Sequence, residues 1–224
     1  MKVWVYIDGF NLYKGRLQGT PYKWLDLLAF SQALLPNDLI TRVKYFSAKV
    51  DARAGDPDQP LRQIVYWQAL RTRSEIEIIE GHFLSKSTLM PDAASVQKLK
   101  DDAANGLNVA GQKPTMVSVF KSEEKGTDVN LATHLVNDAH LKRFEAALIV
   151  SNDSDLNEAI RIVKNEIGLT VGVFSPHPNR PSAQLKATAS FFREIKASHL
   201  KTSQFPPTLA DSNGIVLASK PATW

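Results

Sequence analysis

Short apolar runs that alternate with helix-like segments constrain the fold of this chain more than any other feature. The runs at residues 3–7 (VWVYI), 146–150 (AALIV) and 170–174 (TVGVF) carry no charge and are too short for helices, which is typical of strands buried on both faces. Segments with helical spacing of apolar residues, such as 127–142 and 155–166, lie between successive strand-like runs. The alternation predicts an α/β protein with a central, mostly parallel sheet covered on both faces, a three-layer α/β/α fold.

Composition shifts along the chain predict one domain with an insertion and a tail. We expect the domain to occupy residues 1–203, with an insertion or mobile loop at 84–113, where polar residues replace a clear periodicity. The strand predicted at 76–79 should stop near Gly81. Residues 204–224 contain Pro, Ser, Asn and Gly with few charges, and we expect a peripheral, flexible tail.

Charge and cysteine content limit the class of binding partner and the cellular compartment that we expect. The chain has no cysteine, which excludes disulfides, thiolate zinc sites and a cysteine nucleophile. No run approaches the roughly 18 apolar residues of a membrane span, so we expect a cytoplasmic protein without a membrane partner. The net charge of +4 is a mild basic excess that favours a polyanionic partner.

Four aspartates follow apolar runs or open predicted helices. Asp8 follows the first run, Asp128 lies in EKGTDVNLA, and Asp153 and Asp155 lie in SNDSDL after residues 146–150. If the outer two runs are neighbouring parallel strands, Asp8 and Asp153 emerge at one edge of the sheet, where ligands of α/β folds bind. Clustered carboxylates repel each other unless a cation lies between them, and Mg²⁺ or Mn²⁺ prefers oxygen ligands. The cluster therefore predicts metal-dependent hydrolysis of phosphodiesters.

Each of these acids also has a purely structural explanation. Asp8 before Gly9 fits a turn, Asp128 fits the first turn of a helix, and Asp155 with Glu158 fits a capping box. We expect Asp8 and Asp153, which follow strand ends, to be the hardest to explain as caps. The recurrence of all four favours a shared site over independent caps.

The segments DGFN, EKGTDVNLA and SNDSDL resemble the NYN domain, a branch of the PIN-like nuclease superfamily, over about residues 1–195. The resemblance implies a Rossmann-like, PIN-like fold, Mg²⁺ or Mn²⁺ at the acidic cluster, and cleavage of RNA. It implies that the catalytic metal ligands are Asp8, Asp128, Asp153 and Asp155. It also implies that Asn11 is a catalytic residue that orients water or the substrate phosphate.

Lys125 and Ser151 belong to the same motifs, and Lys14 and Lys125 adjoin the acids, so we expect all three to contact substrate. Asn152 stands where relatives more usually have glycine, which changes the expected loop shape without removing an acid. Mixed cations and aromatic rings suit single-stranded RNA. The full set of candidates is Lys14, Arg16, Lys49, Arg53, Lys121, Lys125, Arg180 and Lys186, with Phe10, Tyr13 and Trp67 for stacking.

The leading interpretation is a Mg²⁺- or Mn²⁺-dependent endoribonuclease that acts on single-stranded or looped RNA. Two alternatives stay open: a non-catalytic RNA-binding or adaptor module with the same fold, and a DNA nuclease, which would need a helical clamp and more acids. No GxGxxG follows the first strand, so we expect no dinucleotide site, and no histidine pair has the spacing of a helical zinc site. The sequence leaves open which RNA is cut, how many metal ions act, and whether the protein works as a homodimer or with a protein partner.

Overall fold

The computed structural model describes residues 1–52 and 55–224, apart from the side chains at positions 85, 122 and 123. The chain divides into two compact units. The first comprises Met1–His82 and Gly126–Trp224, and the second comprises Phe83–Lys125. Within these described residues, no helix has the length and apolar character needed to cross a bilayer.

Strands and helices alternate along most of the described chain, as the pattern of apolar runs predicts. The strands are β1 (Lys2–Asp8), β2 (Leu39–Ala48), β3 (Ile76–Pro91), β4 (Met116–Lys125), β5 (Ala146–Val150), β6 (Thr170–Ser175), β7 (Phe191–Glu194), β8 (Thr208–Ala210) and β9 (Val216–Ser219). The α-helices are α1 (Gly9–Leu12), α2 (Leu27–Leu34), α3 (Gln59–Leu70), α4 (Ala93–Ala104), α5 (Thr127–His140), α6 (Asn157–Arg161), α7 (Ala183–Thr188) and α8 (Ala197–Lys201). Residues Tyr13–Leu17 and Ile162–Glu166 form π-helical turns, and Ser154–Leu156 form a 3₁₀ turn.

The sheet is mostly parallel and has the strand order β4-β3-β2-β1-β5-β6-β7. β1 lies between β2 and β5 and runs parallel to both, with Val5 beside Val43 on one side and Leu148 on the other. Chain order therefore reverses at β1, which is the topological switch point where open α/β sheets bind ligands. The predicted neighbouring strands β1 and β5 are confirmed, and their carboxyl ends meet at one edge.

Helices cover both faces of the sheet and build an apolar core on each. On one face Val5 of β1 packs in a cluster with Trp67 of α3 and with residues of α2. On the other face Tyr6 of β1 packs with Leu135 of α5 and Ile160 of α6. Successive strand residues point to opposite faces, so one buried strand serves both cores. The predicted three-layer α/β/α fold is confirmed.

The buried face of α5 leaves one apolar residue outside and includes a charge. Val129 is 68% exposed, whereas the carboxylate of Asp138 is fully buried. Asp138 accepts hydrogen bonds from Tyr6 Oη at 2.8 Å, Lys44 Nζ at 2.6 Å and Arg143 Nη1 at 2.7 Å. Burial opposes ionisation of this carboxyl, but the three donors outweigh burial and lower its pKa.

Residues 84–113, expected to form an insertion or mobile loop, contain regular structure. β3 does not stop at Gly81 but continues to Pro91, and α4 follows directly. The side chain of Asp92 caps α4 by accepting a hydrogen bond from Ser95 N at 2.8 Å. α4 has no fully buried residue, which explains why its apolar periodicity is weak in the sequence.

Residues 204–224 pack on the first unit instead of forming the expected flexible tail. β8 and β9 pair as an antiparallel hairpin, and Ala218 of β9 is buried. Trp24 Nε1 donates to Pro206 O at 2.8 Å, and the rings of Trp224 and Tyr66 lie 5.7 Å apart. A few aromatic contacts hold the segment in place, and local composition does not reveal them because their partners are distant in sequence.

Candidate active site

Asp8 lies where β1 ends and α1 begins. It is 4% exposed and caps the helix, because its Oδ1 accepts a hydrogen bond from Asn11 N at 2.9 Å. The next residue must be small, since a Cβ at Gly9 would lie 2.7 Å from both Phe46 O and a ring carbon of Tyr45. The DGFN motif therefore forms a tight strand-to-helix turn that fixes the Asp8 carboxylate at the edge of the sheet.

Ser151 ties the end of β5 to Asp8. Its Oγ donates to Asp8 Oδ2 at 2.9 Å and accepts a hydrogen bond from Asp153 N at 3.1 Å. The hydroxyl is buried, so both contacts are shielded from water. Ser151 therefore orients the Asp8 carboxylate, and its predicted contact with substrate stays a prediction.

Asn152 fastens the loop after β5 to two other segments. Its backbone N donates to Asn11 Oδ1 at 3.0 Å, which links it to α1. Its side-chain Oδ1 accepts from Ser175 Oγ at 2.9 Å and from Ser182 N at 2.8 Å, and its Nδ2 donates to Arg180 O at 2.9 Å. A glycine at this position would lack all three side-chain bonds.

Replacing Asn152 by alanine is expected to lower the free energy of unfolding by about 1–3 kcal/mol, because Ser182 N and Ser175 Oγ lose their acceptor. Urea denaturation followed by circular dichroism measures the change. Asn137→Ala is the matched control, because that exposed asparagine forms no side-chain hydrogen bond with the described residues. A loss no larger than that of the control would show that the loop is not held by Asn152.

The electrostatics of Asp8 distinguish it from an ordinary helix cap. Burial raises its pKa from 3.8 to about 7, while the hydrogen bonds from Asn11 and Ser151 oppose the rise and the charges of Asp128 and Asp153 add to it. The pKa of neighbouring Tyr45 rises to about 12, mainly through burial and in part through the Asp8 charge. Asp128 and Asp153 thus both lie within electrostatic range of Asp8.

The cap assignments differ from the sequence-based alternatives. Asp153 is the residue that caps the 3₁₀ turn, with its Oδ1 accepting from Asp155 N at 3.0 Å. Asp155 is exposed, and Glu158 pairs with Arg161 at 2.6 Å instead of completing a capping box. The expectation that Asp8 and Asp153 are hard to explain as caps is wrong, because both cap helical turns while facing the site.

The acidic residues offer the oxygen ligands that a divalent cation prefers, but they do not form a preassembled coordination shell. Within the described residues, no three carboxylate or imidazole side chains converge as a ready-made metal cage. Mg²⁺ commonly takes one or two carboxylates and completes its shell with water and substrate phosphate. Asp8, partly buried Asp128 in the first turn of α5, and partly buried Asp153 supply such an oxygen set, whereas Asp155 is not among the charges that shift Asp8.

Two of the candidate substrate contacts are exposed lysines. Lys14 lies in the π-helical turn that follows α1, and Lys125 is the last residue of β4, in the second unit. Trp67 is 2% exposed within the core, so the proposed stacking role for Trp67 is wrong. Arg53 lies outside the described residues.

A cavity of about 140 Å³ opens beside the Asp8–Gly9 turn. Its walls combine aromatic side chains with aliphatic, polar and charged ones. The aromatic residues are Phe10, Tyr13, Tyr45, Tyr66 and Trp224. They come from four distant parts of the sequence, which is why sequence patterns did not indicate the cavity.

Comparison with known proteins agrees with the motif resemblance. The family model of the NYN domain matches residues 2–196. The chain belongs to the NYN domain family. Among similar proteins, 6-hydroxy-3-succinoylpyridine 3-monooxygenase HspA of Pseudomonas putida is 32% identical over 245 aligned positions, which cover 98% of this NYN chain and 74% of HspA.

A solved structure agrees with the fold assignment. The crystal structure of a protein of unknown function from Vibrio parahaemolyticus superposes with a TM-score of 0.54 at 17% identity, covering 88% of this chain and 93% of that one. The likeness shows a shared fold alone. The NYN family is nuclease-like, but the name of HspA shows that family membership does not by itself fix the reaction.

Proposed function

We propose that this NYN protein is a metal-dependent endoribonuclease that hydrolyses RNA with Mg²⁺ or Mn²⁺ held by Asp8, Asp128 and Asp153. The observation that carries the proposal is the buried carboxylate of Asp8 beside two further acids. Burial raises the pKa of Asp8 to about 7, and Asp128 and Asp153 add to the rise. Ionising all three at once is costly without a cation, so the arrangement supports a cation site more than three independent caps.

The residues around Asp8 have complementary roles in this proposal. A bound divalent ion would supply positive charge to the scissile phosphate and lower the pKa of attacking water. Asn11 Oδ1 is held by Asn152 N, which leaves the Asn11 Nδ2 group to donate to a phosphate oxygen. Exposed Lys14 supplies a charge for the phosphate chain, and exposed Asp155 joins the site as a further carboxylate.

Cleavage of a labelled single-stranded RNA tests the proposal. We expect cleavage with Mn²⁺ or Mg²⁺, none with excess EDTA, and at least ~10-fold slower cleavage by Asp153→Asn, because a carboxylate ligand is lost. Glu166→Gln, which removes an exposed carboxylate paired with Arg161, should cleave like the wild type.

Three outcomes would count against this function. Cleavage that survives EDTA and Asp153→Asn equally would identify a contaminant. RNA binding without cleavage under any metal would favour the adaptor alternative. Faster cleavage of a DNA strand of the same sequence would favour the DNA nuclease.

A second candidate function is oxidation of a small pyridine-type acid. It is supported by the 32% identity to a protein named as a succinoylpyridine monooxygenase and by the aromatic cavity beside Asp8. The absence of GxGxxG after β1 counts against a bound dinucleotide. Oxygen uptake with 6-hydroxy-3-succinoylpyridine and a reduced nicotinamide tests this candidate, and no uptake above the protein-free rate would eliminate it.

A further inference from the structure

We infer that the cavity beside Asp8 binds one six-membered heteroaromatic ring that carries an anionic group. The inference deepens the proposed function, on which it rests for the role of the site, by naming the chemical class of the substrate. Two sources share that chemistry: a pyrimidine nucleotide within RNA, and a free pyridine carboxylate.

The walls of the cavity suit the faces of a planar ring. Tyr66 lies edge-on to Tyr45 at 6.4 Å and to Trp224 at 5.7 Å between ring centroids. The Tyr66 hydroxyl donates to Leu25 O at 2.8 Å, so its polar end already has a partner. The ring itself is then what this wall offers a ligand, and aromatic rings favour offset or edge-to-face contacts with another ring.

The size of the cavity suits a single ring. Its volume is about 140 Å³. A cavity of roughly 150 Å³ lined by apolar side chains accommodates benzene. A pyrimidine or pyridine ring therefore fits the space.

The charged side chains in the lining favour an anionic substituent. Lys14 and Lys23 line the cavity, and neither forms an ion pair with any residue that the structure describes. Arg62 and Asp56, also in the lining, neutralise each other. Two cations that pair with no described carboxylate favour a phosphate or carboxylate attached to the ring.

The position of the cavity connects it to the acidic cluster. Gly9 and Phe10 directly follow Asp8 and line the cavity, and the Asp8 charge contributes to the pKa of Tyr45 in its wall. A ring held here would place its substituent beside the sheet edge where Asp8 lies. The cavity therefore provides a recognition pocket next to the proposed reaction centre.

Calorimetric titration of the metal-free protein in EDTA tests the inference without any turnover. The probes are uridine 5′-phosphate and pyridine-3-carboxylate, with uridine and inorganic phosphate as comparisons. We expect at least one of the two probes to bind ~10-fold more tightly than uridine and than inorganic phosphate, because uridine lacks the anion and phosphate lacks the ring. Binding of uridine 5′-phosphate alone assigns the pocket to RNA, and binding of pyridine-3-carboxylate alone assigns it to a small acid.

Matched variants separate the ring from the charge. Trp224→Ala should weaken binding ~10-fold and Trp224→Phe much less, since phenylalanine keeps an aromatic wall. The double variant Lys14→Gln/Lys23→Gln should weaken anionic probes but not uridine, and Lys201→Gln, an exposed lysine of α8, should change nothing. Thermal melting checks that each variant is folded.

Two results would overturn the pocket. Phosphate as tight as uridine 5′-phosphate and pyridine-3-carboxylate would leave no role for the ring, and undiminished binding by folded Trp224→Ala would place the ligand elsewhere. The titration contains no metal and no cleavage step, so a negative binding result is distinguishable from a lack of nuclease activity. Ring binding without RNA cleavage would support the binding pocket and refute the proposed reaction.

Discussion

Asp8→Asn is expected to raise the melting temperature of the metal-free protein at pH 8 and to reduce RNA cleavage at least ~100-fold. The two effects have one cause. Burial raises the pKa of Asp8 to about 7, so holding the carboxylate ionised inside the folded protein costs stability. Asparagine keeps the shape and removes the charge, together with a proposed metal ligand.

The pH dependence has a definite sign. An aspartate with a folded pKa of about 7 and an ordinary value of 3.8 binds its proton more tightly in the folded state. Unfolding free energy therefore falls as pH rises from about 4 to about 7 and stays low above that range. Relative to the wild type, Asp8→Asn should gain nothing near pH 4 and roughly 2–4 kcal/mol at pH 8, or at least ~5 °C in melting temperature.

Adding a divalent metal ion should change the difference in melting temperature between the wild type and Asp8→Asn in the opposite direction. Millimolar Mn²⁺ should raise the melting temperature of the wild type, because a ligand of the folded state stabilises it, and should leave Asp8→Asn unchanged. Asp26→Asn is the matched control: Asp26 is also a buried helix cap, but it is paired with Arg73, so its loss should destabilise at pH 8. A melting temperature of Asp8→Asn below that of the wild type at pH 8 in EDTA would contradict the interpretation that the ionised, buried Asp8 carboxylate destabilises the fold.

Asp138→Ala is expected to cost about 3–5 kcal/mol of unfolding free energy, because it leaves a buried cation without its counter-charge. The Lys44 and Asp138 side chains are 4% and 0% exposed, and their ion-pair atoms are 2.6 Å apart. Tyr6 also loses the acceptor of its hydroxyl. Urea denaturation at pH 7 measures the change.

Replacing Lys44, Asp138 and Tyr6 together should lower the free energy of unfolding far less than replacing Asp138 alone. The triple variant Lys44→Met/Asp138→Leu/Tyr6→Phe leaves no buried polar group from this set, and similar apolar replacements of buried ion pairs are often neutral or stabilising. Arg143→Gln is the graded control, because Arg143 is 45% exposed and its pair with Asp138 is partly solvated. If Asp138→Ala costs no more than Arg143→Gln, the buried pair contributes nothing specific to stability.

Local pattern predicted β1, β5 and β6 of the central sheet well, because burial on both faces favours short apolar runs. β1, β5 and β6 match the predicted runs closely. The same reasoning failed for α4, which has no fully buried residue, and for the aromatic segment that ends at Trp224, whose contacts are remote in sequence. Periodicity reports contact with a core and cannot report which distant residue supplies it.

The amino-acid sequence settled the α/β architecture, the NYN motifs and the presence of Asp8 and Asp153 after neighbouring strands, because these depend on short-range spacing and strand order. Only the tertiary structure shows that Asp8 is buried and accepts hydrogen bonds from Asn11 and Ser151. It also shows that Asn152 holds the loop after β5 and that Asp138 lies in the core. It also assembled the aromatic cavity from four separated segments. Burial, charge proximity and cavities depend on which distant side chains meet, and only the packed chain determines that.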